Sequence, residues 1–237
     1  MTTLIGTSTG DMENPVFSII LPFYKQSEHV ERIYRSYCEQ LDRLGHPWEL
    51  VFVINGQDDG TRGILERICE RENIVIESLD KGGWGRAVKH GLSKARGMYL
   101  CYTNTARTDI SDLVAILELA LAGRENVVKA TRLIRESWMR RLGSTLYNIQ
   151  FRLLFRYPVW DVNGTPKVLP RRVFEKIPIT RDDDLIDAEI IANCSKYQIR
   201  VIEVPVRMTA RLSGRSTTNM MSALRMFKGL YKLRAGI

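Results

Sequence analysis

Residues suited to holding an anion cluster at one turn of this chain. Asp80-Lys-Gly-Gly-Trp-Gly-Arg86 has glycines that let backbone N–H groups approach a negative group, an expected helix N-terminus behind them, and Lys81 and Arg86 to add positive charge. The turn lacks both the Gly-Lys-Ser/Thr of a P-loop and the spacing of a dinucleotide fingerprint, so by itself a steric need for glycine explains it as well. Carboxylates that could serve as a base gather at Asp182–Asp184, Asp187 and Glu189. Residues two apart on a helix do not share a face, so at most one of Asp187 and Glu189 points into a cleft. Glu189, beside Ile190 and Ile191, is the candidate, whereas Asp182–Asp184 suit a helix N-terminus. His29, His46 and His90 show no partner motif and read as surface or packing residues. Cys38, Cys69, Cys101 and Cys194 form no C-x-x-C pair and read as buried free thiols in a reducing compartment.

The elements that must position these groups alternate. Val16–Leu21 reads as a buried strand that Pro22 ends, followed by a helix over 27–44 that Ser27 can cap. Glu49–Ile54 is a second strand, closed by the Asn55-Gly56 turn, and Asp59-Gly60-Thr61 leads into a helix through Ile68. A short strand at Ile74–Ile76, a helix from Trp84 to Arg96, a strand from Met98 to Thr103 and a helix from Ile110 to Leu121 follow. This alternation predicts an α/β fold with a mostly parallel sheet and helices on both faces, and in such sheets ligands sit outside the carboxyl ends of the strands. The second half is less regular: a helix over 138–155, a loop at 161–167, a helix over 185–196 and a strand over 199–206. No internal repeat or linker interrupts the chain, so a single domain over 15–218 is expected, between a flexible stretch at 1–14 and a basic amphipathic helix at 219–237.

Of the 237 residues, 44% are hydrophobic and 26% charged, an ordinary globular balance that excludes general disorder. The formal net charge is +8, and no acidic residue follows Glu203. A nucleic-acid module is the reading that charge alone suggests, but no recognition-helix pattern accompanies it, so phosphates or an anionic membrane surface fit better. No signal peptide and no membrane span are expected, which leaves a cytoplasmic chain with at most peripheral membrane contact. Met221, Leu224, Phe227, Leu230 and Tyr231 fall on one side of the terminal helix, a pattern that serves either a membrane surface or packing on the domain.

Taken in order, six segments resemble the family 2 glycosyltransferases of GT-A fold, closest to the polyprenyl-phosphate (dolichol-phosphate mannose synthase-like) branch. They are Ser18–Tyr24, Glu49–Thr61, Lys81–Leu92 with Ala95-Arg-Gly97, the set Arg132, Arg141 and Ser144, Asp161–Lys167, and Ile202-Glu-Val-Pro-Val206 followed by Arg211 and Gly214-Arg-Ser216. The resemblance implies a nucleotide-diphosphate sugar donor at Pro22, Tyr24, Gln26, Asn55, Lys81, Gly82, Arg86, Asn104 and Arg107. It implies an acceptor phosphate at Arg132, Arg141, Ser144, Lys167, Arg211 and Ser216, with Asp161 or Glu189 as the base if the acceptor is a sugar hydroxyl. The activity implied is inverting sugar transfer to a polyprenyl phosphate or a glycan, in cell-envelope or polysaccharide biosynthesis.

The departures are chemical. Gln26 replaces the family's Glu, Ile54 and Asn55 replace an Asp-Asp pair, and Asn104-Thr-Ala106 replaces the Asp-x-Asp that holds Mg²⁺ or Mn²⁺. Hard divalent cations want anionic oxygens. Three forms stay open: a transferase with weak or no metal dependence, one with a site rebuilt around Asn104 and Asp109, and a nucleotide-sugar-binding partner without catalysis. A nucleotidyltransferase is a weaker fourth, since it too wants metal-binding acids.

Overall fold

Alternate residues of a strand face opposite sides of a sheet, so a strand covered on both faces is apolar at every position. The structure, a computed structural model that describes residues 14–106, 108–133, 138–207 and 220–237, follows that rule. In β1 (Phe17–Phe23), Phe17, Ile19, Leu21 and Phe23 enter one core layer and Ile20 the opposite one. β2 (Trp48–Asn55) divides likewise, with Leu50 and Phe52 on one face and Val51 and Val53 on the other.

The first layer is closed by α1 (Val30–Arg43), α2 (Thr61–Ile68) and α4 (Ile110–Gly123), through Ile33, Tyr37, Leu41, Leu65, Leu113 and Leu117. The second is closed by α3 (Trp84–Lys94), α6 (Arg171–Lys176) and α7 (Ile186–Lys196), through Val88, Leu92, Val173, Ile186 and Ile190. The other strands are β3 (Ile74–Leu79), β4 (Tyr99–Tyr102), β5 (Val127–Arg132), β6 (Lys167–Pro170) and β7 (Val201–Val206), and the other helices α5 (Trp138–Phe155) and α8 (Met220–Gly236).

The sheet has the order β3-β2-β1-β4-β6-β5-β7, and every strand but β6 runs parallel to its neighbours of that sense. The mostly parallel α/β sheet expected from the sequence is therefore present. After β3 the chain returns to the other side of β1, so the strand order reverses between β1 and β4, where such sheets open a crevice at the carboxyl ends.

Several boundaries differ from expectation. β1 continues through Pro22 to Phe23, because its ladder with β4 stops at Ile20 and the missing proline N–H breaks no bond there. A one-turn 3₁₀ helix at Ser27–His29 precedes α1, and Ser27 makes no side-chain cap; its backbone N–H instead donates to Asp59 Oδ2 at 3.0 Å. β5, β6 and α6 have no counterpart in the sequence reading, which leaves 127–132 unassigned and ends its loop at Lys167.

The Ala95-Arg-Gly97 stretch lies far from any donor loop. Ser18 Oγ donates to Glu49 Oε1 at 2.6 Å, Arg96 reaches the same carboxylate through its backbone N–H (2.6 Å) and Nε (2.8 Å), and Gly97 N–H donates to Ser18 Oγ at 2.7 Å. This clip ties α3 to the start of β1 and β2, at the end opposite the crevice. A Cβ on Gly97 would stand 2.6 Å from Ser18 Oγ, so glycine is needed for packing.

The terminal helix packs on the domain. Met226, Phe227, Leu230 and Leu233 of α8 join Tyr147, Phe151 and Phe155 of α5 and Leu185 and Ile191 in a third core cluster, with the Tyr147 and Phe227 rings edge to face at 5.6 Å. The expected stripe is thus split: Leu230 and Phe227 turn inward, while Leu224 and Tyr231 are exposed, and the side chain of Met221 lies outside the described residues. Cys38, Cys101 and Cys194 are buried and Cys69 half-buried, all as free thiols.

The clip gives a direct test. Glu49→Ala removes the acceptor of three donors in the interior and is expected to lower unfolding free energy by about 3 kcal/mol in denaturant melts, while ligand affinity at the opposite end of the sheet is unchanged.

Candidate active site

The carboxyl ends of β1, β2, β4 and β5, the start of the antiparallel β6 and the end of β7 meet at one edge of the sheet. A cleft there is lined by Asn104, Thr108, Asp109 and Asp112 on one side and Arg132, Thr165, Pro166, Val206 and Arg207 on the other.

The loops over this edge are cross-tied. Asp59 accepts from Ser27 N–H, and also from Thr61 Oγ1 at 2.5 Å, joining the ends of β1 and β2. Gln26 Oε1 accepts from Thr105 Oγ1 at 3.0 Å, which bridges β1 to the loop after β4 across the reversal of strand order. Asn55 Oδ1 accepts from Gly83 N–H at 2.9 Å and so anchors the glycine turn to β2. Gly56, at φ +93°, lies against Gly82: a Cβ there would meet Gly82 N and Cα at 3.3 Å. Tyr24, half exposed, borders the same spot, and Pro22 is buried in its strand.

The turn itself is mostly committed to protein acceptors. Arg86 Nη1 donates to the carbonyls of Lys81 (3.2 Å) and Gly82 (3.1 Å), and Arg86 N–H to Asp182 O at 3.0 Å. A Cβ on Gly85 would stand 2.2 Å from Asp183 O, so the 182–183 segment rests on the first turn of α3. Gly85 therefore serves close packing and Gly83 a backbone of positive φ (+152°), while Lys81 remains exposed.

On the other side of the cleft, Arg132 meets Asp161 in a two-pronged pair: Nε to Oδ2 and Nη2 to Oδ1, each 2.6 Å, with the Arg132 backbone N–H at 3.2 Å from Oδ2. Burial opposes the Arg132 charge, but the Asp161 carboxylate outweighs it and leaves the guanidinium pKa above its ordinary value. Asp161 is held in turn by Glu203. Glu203 Oε1 accepts from Asp161 N–H (3.1 Å), Thr131 Oγ1 (2.6 Å) and Lys129 Nζ (3.0 Å), and Oε2 accepts from Trp160 N–H (2.7 Å). Burial raises the Glu203 pKa, but Lys129 and these donors more than offset it and hold it below the usual carboxylate value. Burial brings Lys129 down to about 8 although Asp161 and Glu203 favour its charge. Gly164 lets this loop approach β5: a Cβ there would lie 1.9 Å from Ala130 O.

Two residues expected at the acceptor or as a base face elsewhere. Lys167 is fully buried, with Nζ 2.5 Å from Asp187 Oδ1 and 3.2 Å from Val162 O, so it cannot hold an acceptor phosphate in this geometry. Asp187 also accepts from Tyr102 OH at 2.7 Å and from Trp84 Nε1 at 3.0 Å. Glu189 accepts from Thr180 N–H and Oγ1 and from Arg181 N–H, all within 3.1 Å, and is the buried anchor of the loop before α7 rather than an open base. Asp187 and Glu189 do point different ways, as their spacing requires, but neither lines the cleft. Arg141 is exposed on α5, and Ser144 Oγ donates to Arg141 O at 3.0 Å within that helix. Arg107, Arg211 and Ser216 lie outside the described residues. His90 does have a partner, with Nε2 2.8 Å from Glu77 Oε2.

The residues that could hold a divalent cation do not make a good set for one. Asn104 Oδ1 accepts from Ala106 N–H at 3.1 Å, and Ala106 contributes no oxygen from its side chain. Asp109 caps α4 by accepting from Ser111 N–H (2.9 Å) and Oγ (2.6 Å), bonds that lower its pKa. Burial, and then Asp109, raise the pKa of Asp112. Among the described residues no group of three His, Cys, Asp or Glu side chains is placed to bind a metal, and the two carboxylates of the cleft share it with two guanidinium groups.

With the geometry established, the chain can be placed by comparison. Residues 18–177 match Glycosyl transferase family 2, about two thirds of the chain, and the protein belongs to that family. It is 21% identical over 217 residues to an undecaprenyl-phosphate 4-deoxy-4-formamido-L-arabinose transferase of Edwardsiella ictaluri, spanning 90% of this chain and 66% of that protein. It is 22% identical over 256 residues to a dolichyl-phosphate beta-glucosyltransferase of Saccharomyces cerevisiae, spanning 94% of this chain and 75% of that one. The fold matches glucosyl-3-phosphoglycerate synthase of Mycobacterium tuberculosis, solved with Mn²⁺, UDP and glucosyl-3-phosphoglycerate, with a TM-score of 0.71, 14% identity and coverage of 94% of this chain and 81% of that one. The GT-A fold implied by the sequence resemblance is the fold of the protein.

Sequence reasoning missed Glu203, Lys129, Asp187, Tyr102 and Trp84 as the groups that hold the site. A charged residue beside apolar strand residues, as at Lys129 within β5 and Lys167 at the start of β6, was the available signal, since burial of such a residue demands a partner. Lys167→Met leaves the Asp187 carboxylate buried without its cation, and is expected to cost about 3–5 kcal/mol in denaturant melts while changing pyrophosphate affinity by less than about twofold.

Proposed function

We propose that the protein transfers a sugar from a nucleotide-diphosphate donor to a polyprenyl phosphate, with inversion, at the cleft between Asn104–Asp112 and Arg132. The observation that carries this reading is a carboxyl-end cleft with two guanidinium groups in a chain that matches family 2 over residues 18–177. In the reaction an acceptor oxygen attacks the anomeric carbon, and the bond from that carbon to the diphosphate oxygen breaks on the opposite face. Two features favour a phosphate over a sugar hydroxyl as acceptor. A phosphate oxygen is already anionic and needs no base. The two carboxylates considered as a base, Asp161 and Glu189, are engaged by Arg132 and by the 180–181 backbone.

Tyr24, Asn55 and the Lys81-Gly82 turn would border the nucleotide, and Arg132 and Arg207 would meet phosphate charge. Growing negative charge on the leaving diphosphate must be offset in the transition state. We assign that task to the cations Arg132, which Asp161 holds in place, Lys81 and Arg207, joined by Arg107 from the sequence, in place of an acidic metal site. Asn104 and Ala106 in place of an acidic pair equally suit a partner protein that binds nucleotide-sugar without turnover, and one assay separates the two. Work at a cytoplasmic membrane face, in cell-envelope or polysaccharide synthesis, follows from a polyprenyl-phosphate acceptor.

The assay measures thermal stabilisation and nucleotide release with UDP-, GDP- and dTDP-sugars, with and without polyprenyl phosphate and EDTA. Stabilisation by one donor, and acceptor-dependent nucleotide release that persists in EDTA, is the expected result. Stabilisation without release on any acceptor would favour the binding protein, release abolished by EDTA would overturn the metal-independent assignment, and no stabilisation by any donor would sink the donor reading.

A further inference from the structure

Helix α5 carries apolar residues on more of its surface than the domain covers, and one apolar stripe of it is bare. Tyr147, Phe151 and Phe155 pack inward against α7 and α8. Trp138, Leu142, Leu146, Ile149 and Leu153 recur at helical spacing on the other side and are exposed, Trp138 at 73% and Leu153 at 75%. Next to them Trp160 is 68% exposed, with the Arg152 guanidinium 4.7 Å from its ring centre, and the neighbouring α8 exposes Leu224 and Tyr231. A contiguous apolar stripe of this kind on a folded domain marks a contact surface.

Charge identifies the occupant. α5 and α8 together contain seven Arg and Lys residues and no Asp or Glu, so they hold nearly all of the formal +8 of the chain. A second copy docked on this face would set cations against cations, whereas an anionic leaflet is complementary in charge and accepts the apolar side chains and the two tryptophans at its boundary. Among the described residues no helix is long and apolar enough to cross a membrane. The face is also joined to the cleft. Asn148, on the buried side of α5, accepts through Oδ1 from Val162 N–H at 3.1 Å, and Trp160 directly precedes the Asp161 that holds Arg132.

We propose that the outer face of α5, flanked by the exposed residues of α8, docks on an anionic phospholipid surface. There it presents the Asp161–Arg132 side of the cleft to lipid headgroups. For its purpose, delivery of a lipid phosphate, the proposal rests on the transferase reading; the docking itself requires no donor or turnover.

The test uses the whole chain and sedimentation with vesicles of phosphatidylcholine alone or with about one third phosphatidylglycerol. Binding to the anionic vesicles that weakens in high salt, with a blue shift of tryptophan emission, is expected, together with much weaker binding to the neutral ones. The double substitution Leu142→Glu with Leu146→Glu, at exposed positions, should keep the thermal midpoint and reduce vesicle binding by about tenfold or more. A second variant, Leu153→Glu, should lower it in the same sense. Equal binding by variants and parent, or no sedimentation of the parent with anionic vesicles at low salt, would overturn the proposal. So would a dimer that these substitutions dissociate while neither form binds vesicles. Donor-induced stabilisation is measured without vesicles, so its failure counts against the transferase reading and leaves the docking result standing.

Discussion

Glu203 sits where three parts of the chain converge, and the cleft depends on how its two oxygens are shared. One oxygen takes Lys129, Thr131 and the Asp161 backbone, and the other takes the Trp160 backbone. Asp161, placed by that grip, uses both oxygens to hold the Arg132 guanidinium at the edge of the cleft. A buried ionic chain of this kind adds little stability over an apolar core, but removal of one member strands its partner at a cost of about 3–5 kcal/mol. Its value lies in geometry: a cation is held without the freedom that an exposed arginine has.

The same economy runs through the rest of the site. The reversal of strand order between β1 and β4 opens the crevice, and Gln26 and Thr105 bridge it through a neutral hydrogen bond. Asn55 spends its carboxamide oxygen on the glycine turn. Replacement of acids by amides and alanine lowers the negative charge at this edge of the sheet. A cleft in which two guanidinium groups match two carboxylates, and in which no acidic pair stands at Asn104 and Ala106, offers phosphate ligands direct partners with less call for a divalent cation between them. The bare face of α5 and the basic α8 extend that electrostatic bias to the surface.

β1, β2 and β4 were legible because burial on both faces leaves unbroken apolar runs, and of the half-buried edge strand β3 only the apolar Ile74–Ile76 was. β5 and β6 were not, since Lys129 interrupts β5 and Lys167 opens the four-residue β6, and a charged residue at either place ordinarily signals a surface. These two lysines are opposite one another in the ladder and are answered from other strands and helices, by Glu203 and Asp187, which no local pattern reveals. The Asp161 loop and Arg132 were both singled out, and the structure joins them. Lys167 was singled out on the resemblance carried by the 161–167 loop and Glu189 for its place beside Ile190 and Ile191; both are buried against partners that neither pattern reveals, Asp187 and the 180–181 backbone. The terminal helix was legible as amphipathic but not as to which face packs, because α5 offers it a groove that periodicity in one segment cannot show.

On the proposed function, Glu203 governs ligand affinity by fixing Asp161 and, through it, Arg132. The most direct measurement is calorimetric titration of nucleoside diphosphates into the parent and Glu203→Gln at pH 7, with folding of both checked by thermal melts. The expected result is a folded variant that binds the preferred diphosphate about tenfold more weakly, because Arg132 is no longer held in place as a charged hydrogen-bond donor. A folded variant with undiminished affinity would contradict it.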